Sequence, residues 1–223
     1  MMRSCPLCGR TGLDAFTTQR DQVLYGKCRY CGYISRDPSF RISAHDEKKR
    51  YQLHENRPDD PGYLNWLNKF LTFALNPAPR KNGRILDFGS GPEPVMAEIL
   101  RRRGWSVDIE DVFFAPDRRP GPFALITAVE VFEHLADPKS ALKDLAGRLE
   151  PDGRLCISTE FLPVWDDDFN SWHYRSDATH IGFFTRAGLT AAAETVGLTE
   201  AACDNHRYVS YRLTCPPDAA VLG

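Results

Sequence analysis

Four of the seven cysteines in this 223-residue chain are spaced for metal chemistry. Cys5-Pro6-Leu7-Cys8-Gly9 and Cys28-Arg29-Tyr30-Cys31-Gly32 are two C-x-x-C-G turns separated by nineteen residues. Four thiolates on two such turns meet the tetrahedral preference of zinc. The glycine after each pair lets main-chain N–H groups turn toward sulfur. Two alternatives carry less weight. A disulfide pair conflicts with a cytoplasmic chain, and a redox motif needs no second copy. Cys156, Cys203 and Cys215 are isolated and read as packed or partly exposed thiols.

A second constellation lies at Arg84 to Pro94, RILDFGSGPEP. It reads as a strand, Ile85 to Phe88, that breaks into a glycine turn and then a helix with Val95, Met96, Ile99 and Leu100 on one face. Gly89 and Gly91 let the backbone approach a ligand, and the helix start behind them offers unpaired N–H groups and a positive dipole end. A dinucleotide fingerprint needs a third glycine where this chain has Pro94. Asp87, just before the glycines, would repel a pyrophosphate but suits the ammonium of a ligand that carries an amino acid. An ordinary strand–turn–helix is the bland alternative.

The elements that must position these residues follow in order. Ser106 to Asp111 reads as a second strand that ends in acids, and Asp111 lies twenty residues after Gly91, where a doubly wound fold places a carboxylate on a ribose diol. Phe123 to Val129, FALITAV, is an apolar run suited to a central strand buried on both faces. Glu130-Val131-Phe132-Glu133-His134-Leu135 follows it. Asp137-Pro138 then caps a helix with Ala141, Leu142, Leu145 and Leu149 on one face. Glu150 to Gly153 turns the chain into the strand Leu155 to Ser158.

The acid–glycine-x-glycine run resembles motif I of the class I S-adenosylmethionine-dependent methyltransferases. Phe123 to Thr159 is similar to their motif IV to motif VI region. Tyr174 to Thr185 and Glu47 to Tyr63 are similar to segments of a bacterial subgroup, here with an N-terminal zinc ribbon. The resemblance implies an α/β, doubly wound Rossmann-like sheet. Residues 1–40 would form the ribbon, 41–80 a helical linker and cofactor lid, and 81–223 the catalytic domain. It implies S-adenosylmethionine as cofactor, held by Asp87, Phe88, Gly89, Ser90, Gly91, Asp111 and Glu130, with Val112 and Phe113 or Phe114 flanking the adenine. Tyr51, His54, Asn56 and Tyr63 are lid candidates, against the alternative of a polar linker. Only eleven residues separate Asp111 from Phe123, too few for the usual helix and third strand, so the sheet is expected to be truncated there.

The methyl group of a sulfonium is intrinsically electrophilic, so the protein chiefly positions the reactants and excludes water. His180 is the first choice for a base or acceptor-binding group, with His134 and Glu130 beside it. Glu133 and Glu160 also end strands on the acceptor side. His134 has the alternative of capping the following helix, and Trp172 and Tyr174 either stack on a planar acceptor or belong to the core.

Composition narrows the acceptor. Net charge is −2 and 42% of residues are apolar, which builds one α/β core without a magnet for nucleic acid. Residues 1–60 carry eleven Lys and Arg against eight Asp and Glu, a weak bias rather than a basic stripe. No run approaches a membrane span and the N-terminus lacks a signal-peptide core, so a cytoplasmic protein without membrane contact is expected. A small-molecule or glycan-type acceptor is favoured, because an N-P-P-Y-type motif is absent after Val129. RNA or protein methylation through the ribbon is the alternative. A non-catalytic zinc-ribbon interaction protein is the third reading, opposed by the intact Asp87, Gly89, Gly91 and Asp111.

Overall fold

The computed structural model describes residues 4–53, 58–163 and 168–214. Its elements in chain order begin with β1 (Leu13–Thr17), β2 (Leu24–Cys28), β3 (Ile34–Arg36), α1 (Ala44–Gln52) and α2 (Pro61–Ala74). They continue with β4 (Arg84–Phe88), α3 (Val95–Arg102), β5 (Ser106–Glu110), β6 (Phe123–Val129), α4 (Pro138–Ala146) and β7 (Leu149–Ser158). The C-terminal part holds α5 (Asp168–Ser171), β8 (Gly182–Phe183), α6 (Arg186–Glu194), β9 (Leu198–Cys203) and β10 (Tyr208–Leu213).

The main sheet has six strands in the order β5-β4-β6-β7-β10-β9. β4 pairs in parallel with β5 and β6, and β6 with β7, while β10 runs antiparallel to β7 and β9. The two outward directions from β4 create the switch point at which doubly wound sheets bind ligands. β5 is the edge, so the sheet is truncated where the third strand of this architecture would lie. The short connection after Asp111 forms only an isolated bridge between Asp111 and Ala115.

Both faces are covered, which is why β6 carries an unbroken apolar run. On one face α2 and α3 pack Leu67, Phe70, Leu71, Val95, Met96 and Leu100 against Ile85, Leu125 and Cys156. The buried positions of α2 recur at helical spacing, and its start is capped by Asp60, whose carboxylate accepts from the Gly62 and Tyr63 N–H groups. On the other face α4 and α6 contribute Leu142, Leu145, Leu189 and Ala193. Asp137 caps α4 with Pro138 in its first turn, as expected, but the helix ends at Ala146. Leu149 starts β7 instead: the register slips between Phe123/Leu149 and Leu125/Arg154, so the Glu150–Gly153 turn sits within the strand as a bulge.

A second, antiparallel sheet has the order β1-β2-β3-β8. Its last strand comes from the far end of the chain, with Ile34 opposite Phe183 and Ser35 opposite Gly182. Cys5, Leu7, Cys28 and Tyr33 are buried in the same cluster as the residues of α4 and α6. The start of α6 sits directly on the second cysteine turn. Thr185 Oγ1 donates to the Cys31 carbonyl at 2.9 Å, and a Cβ added at Gly188 would lie 2.2 Å from that oxygen.

Candidate active site and cysteine centre

The carboxyl ends of β4, β5 and β6 open into a cleft of about 800 Å³. One half is built on the glycine turn. Gly89 and Gly91 have φ of +76° and +68°. At Gly89 a side chain is impossible for a second reason, since a Cβ would lie 2.3 Å from Val131 Cγ2. At Gly91 a Cβ would meet nothing within 4 Å, so the backbone there faces open space. α3 begins behind the turn without a side-chain cap; its Val95 N–H donates to the Glu93 carbonyl at 2.8 Å and its Ala97 N–H to Asp87. Asp87 is 3% exposed, and burial pushes its carboxyl up to about 7. Ser90 Oγ is buried with no hydrogen-bond partner among the described residues. A buried carboxylate wanting a cation, an orphaned hydroxyl and bare main chain together fit an amino-acid-bearing cofactor.

Asp111 does more than end a strand. Its Oδ2 accepts from the Gly91 N–H at 3.0 Å, and its Oδ1 accepts from the Phe113 and Phe114 N–H groups at 2.8 and 3.1 Å. The residue therefore ties the two cofactor-side turns together. Glu110 next to it is committed elsewhere, accepting from Arg148 Nη1 at 2.6 Å and the Arg119 N–H at 2.9 Å. Val112 is 78% exposed at the rim, and the Phe113 ring lies 5.9 Å from Tyr51. Phe88, Tyr51 and Tyr63 also line the cleft, with Tyr63 stacked on Trp66 at 5.9 Å. His54 and Asn56 lie outside the described residues.

The other half carries Glu130, His134 and His180. Glu130 ends β6 with φ +53°, a left-handed conformation that aims the side chain across the strand end. Ser158 Oγ donates to Glu130 Oε1 at 2.6 Å, and the Tyr174 hydroxyl lies 3.0 Å from Oε2 while also contacting Glu133. A single hydroxyl proton serves only one of two carboxylates, so both contacts are hydrogen bonds only when one carboxyl is protonated. Burial, reinforced at Glu130 by the neighbouring Glu133 charge, pushes both acids up to about 7. His180 is pulled down to about 4 by burial and by His134, and burial lowers His134 as well.

Some sequence alternatives are settled by these contacts. His134 does not cap α4, since Asp137 does; its Nδ1 instead faces the Thr179 carbonyl at 3.0 Å. Tyr174 is buried and Trp172 partly buried in one aromatic cluster: Trp172 Nε1 donates to Glu160 at 2.7 Å and the two rings pack with Phe183 and Phe169. Arg36 went unnoticed in the sequence. Its buried guanidinium donates to the main-chain carbonyls of Arg175, Asp177 and Ala178, holding the loop that carries His180. Glu133 was one acid among several, and only its burial sets it apart.

In the cysteine centre, all four sulfurs lie within 4.8 Å of one another. Cys5 and Cys31 sulfurs are 3.6 Å apart, and those of Cys8 and Cys28 3.7 Å. The Gly9 and Gly32 N–H groups donate back to the Cys5 and Cys28 carbonyls, at φ of +77° and +69°.

A family model described as a methyltransferase domain matches residues 33–201, and the chain belongs to that family. It is a class I S-adenosylmethionine-dependent methyltransferase by this match and by its relatives. It is 23% identical over 220 residues to a ubiquinone biosynthesis O-methyltransferase of Stutzerimonas stutzeri (strain A1501), covering 80% of this chain and 90% of that one. Its fold is similar to the N-methyltransferase NodS of Bradyrhizobium japonicum, solved with S-adenosyl-L-homocysteine (TM-score 0.50, 15% identity, 75% and 97% of the two chains). The mitomycin 7-O-methyltransferase MmcR is also similar (TM-score 0.51, 14% identity), with 70% of this chain covering 58% of that one.

Proposed function

We propose that the protein methylates an oxygen of a small molecule, with glycan-type precursors included in that class. The observation that carries this reading is one cleft with two chemically different halves, a glycine turn on one side and a buried carboxylate–tyrosine–histidine wall on the other. Similarity to O-methyltransferases of ubiquinone and mitomycin chemistry supports an oxygen nucleophile on a compact acceptor. Among the described residues no helix is long and apolar enough to cross a membrane. Four cysteines gathered for a metal rather than for disulfides suit a reducing compartment, and we place the protein in the cytoplasm on that basis.

S-adenosylmethionine, when bound, supplies an electrophilic methyl group on sulfur. Asp87 meets its ammonium, the unpartnered Ser90 hydroxyl its carboxylate, and Asp111 its ribose through the lone pair left on Oδ2. Phe113, with Val112 at the rim, flanks the adenine, and Tyr51 and Tyr63 close the cleft from α1 and α2 as lid residues. On the acceptor side Glu130 or Glu133 takes up the proton that an acceptor hydroxyl loses during attack. His134 and His180 orient the acceptor, and the buried wall keeps water out.

Cys5, Cys8, Cys28 and Cys31 hold one structural zinc in this reading. Bonds of about 2.3 Å in a tetrahedron place sulfurs about 3.8 Å apart, close to the observed spacing. Residues 1–40 then form a ribbon that serves the catalytic domain, with 41–80 as linker and lid and 81–223 as the methyltransferase core. Its second cysteine turn seats on the start of α6, which favours support of the acceptor loop over docking of RNA or protein.

The test is calorimetry with S-adenosylhomocysteine and NAD side by side, then turnover on phenols and catechols, glycan precursors and bulk RNA. Binding of the homocysteine ligand alone with methylation of the small hydroxylic compounds is expected. Methylation of RNA alone would overturn the acceptor class while leaving the cofactor assignment standing.

A further inference from the structure

We propose that Glu133, His134 and His180 form a second metal site in the wall of the cleft, for a first-row divalent ion. A ring nitrogen of each histidine and a carboxylate oxygen of Glu133 lie within 4.8 Å of one another. Two elements bring them together: Glu133 and His134 sit on the single turn Phe132–His134 after β6, and His180 ends the loop before β8.

The hydrogen bonds around the triad fix which atoms keep their electron pairs. His134 Nδ1 faces the Thr179 carbonyl at 3.0 Å and His180 Nδ1 faces the Tyr174 carbonyl at 2.6 Å. A carbonyl only accepts, so both Nδ1 atoms carry the proton and each Nε2 keeps a lone pair. Fixing the tautomer by a main-chain carbonyl is how metal-binding histidines are usually prepared. Glu133 is fully buried; its Oε1 takes the Tyr174 contact while its Oε2 has no hydrogen-bond partner among the described residues. With Glu133 ionised, three acceptors converge with no donor among them, which is unfavourable unless a cation or a donor sits between.

The ligand set chooses the ion. Two imidazoles and one carboxylate suit zinc or a neighbouring first-row divalent ion rather than magnesium or calcium, which prefer all-oxygen shells. Bonds of about 2.1 Å bring such ligands roughly 3.4 Å apart, within the span the triad already occupies. Contacts behind the triad hold it in place. His180 is anchored by its own N–H to the Asp177 carbonyl, Arg36 grips the same loop, and Arg50 pairs with Asp177 at 3.2 Å. His134 and His180 face the cleft, so the ion keeps open positions there for water or for an acceptor oxygen. A hydroxyl bound at such an ion loses its proton more readily, here to the Glu130 carboxylate that lines the cleft, and becomes the better nucleophile for the methyl group. That last consequence rests on the methyl-transfer reading; the ion itself does not.

The experiment is metal analysis of the purified full-length protein after equilibration with zinc, in the absence of cofactor and acceptor. Wild type should hold about two ions per chain and the folded His180→Ala and Glu133→Gln variants about one, with Cys8→Ser removing the other. A second measurement uses wild type alone, so it does not depend on any variant folding. Cobalt added to metal-free protein should give two exchangeable, hyperfine-shifted imidazole N–H resonances in the proton spectrum, because the cysteine centre contains no histidine. One ion per chain in wild type, with no shifted imidazole resonance under cobalt, would overturn the site and leave the methyltransferase reading untouched.

Discussion

Arg36 Nη1 donates to the Ala178 carbonyl at 2.8 Å, joining the third strand of the cysteine sheet to the loop two residues before His180. The bond spans 142 positions of sequence and lies between two parts of the chain that would otherwise read as separate modules. Arg36→Ala should strip the Arg175 and Ala178 carbonyls of their donor, leave the Asp177 carbonyl only the His180 N–H, and cost about 3 kcal/mol of stability. Displacement of His180 should cut turnover by about 100-fold with the affinity for S-adenosylhomocysteine nearly unchanged. Equal losses in cofactor affinity and turnover would show that Arg36 supports the fold in general rather than the acceptor loop.

Cofactor binding gives the second test. S-adenosylhomocysteine at a hundredfold excess over Kd should stabilise the protein by about 2.7 kcal/mol in a denaturation assay. Gly91→Ala should abolish most of this, because the residue has φ +68° and the new methyl group projects into the open cleft. The strain of a left-handed alanine alone is about 1–2 kcal/mol and would appear in the apo protein too. A ligand-dependent shift retained in full by the variant would move the cofactor away from the glycine turn.

Asp87 links binding to pH. Its carboxyl is raised by burial to about 7, so the apo protein holds a proton that the unfolded chain, with an ordinary aspartate, releases at much lower pH. Its contribution to apo stability is therefore full in acid and lost as pH rises through about 7. A ligand ammonium beside it reverses the preference, so binding should expel a proton below pH 7 and tighten as pH rises toward that value. Calorimetry at pH 6 in buffers of different ionisation enthalpy reads the proton directly. Asp87→Asn should bind weakly and without proton release; identical enthalpies in every buffer for wild type would disprove the pairing.

Metal removal from the cysteine centre should be felt at a distance. Chelation under reducing conditions is expected to release one zinc and to open amide exchange at Ile34 and Ser35 and at their partners Phe183 and Gly182. The parallel strands β4, β6 and β7 should stay protected, since their apolar layers are their own. Unaltered protection at Ile34 and Ser35 in metal-free protein would take zinc out of the account.

Gly188→Ala tests the seating of the second cysteine turn on α6 without touching a cysteine. The added Cβ would lie 2.2 Å from the Cys31 carbonyl oxygen, so α6 must lift from the cysteine turn. A loss of roughly 1–3 kcal/mol is expected from such overpacking, together with weaker metal retention. Wild-type stability would mean that the helix and the turn are not in contact in solution.

Local chemistry wrote much of this protein into its sequence. The C-x-x-C-G turns, the strand that ends in Asp87-Phe88-Gly89-Ser90-Gly91, the apolar run of β6 and the Asp137-Pro138 helix start are each decided within about ten residues, and each takes its expected form. The eleven residues after Asp111 also foretold the missing edge strand, because no chain that short crosses a sheet and returns. Leu149 was misassigned because one apolar residue at helical spacing is equally the start of a strand, and the strand's pairing with Phe123 won.

What the tertiary structure decided are relationships between residues that no local pattern connects. Tyr174 bridges Glu130 and Glu133 only because the segment before β8 brings it against the end of β6, and that burial, invisible in the residue types, is what raises the two acids. The pairing of β3 with β8, the grip of Arg36 on the His180 loop, and the convergence of His180 on Glu133 and His134 arise the same way. A sequence specifies which side chains can hydrogen-bond, ligate or titrate. Which of them share a dry volume depends on how distant strands stack, and there burial and proximity set both protonation and partnership.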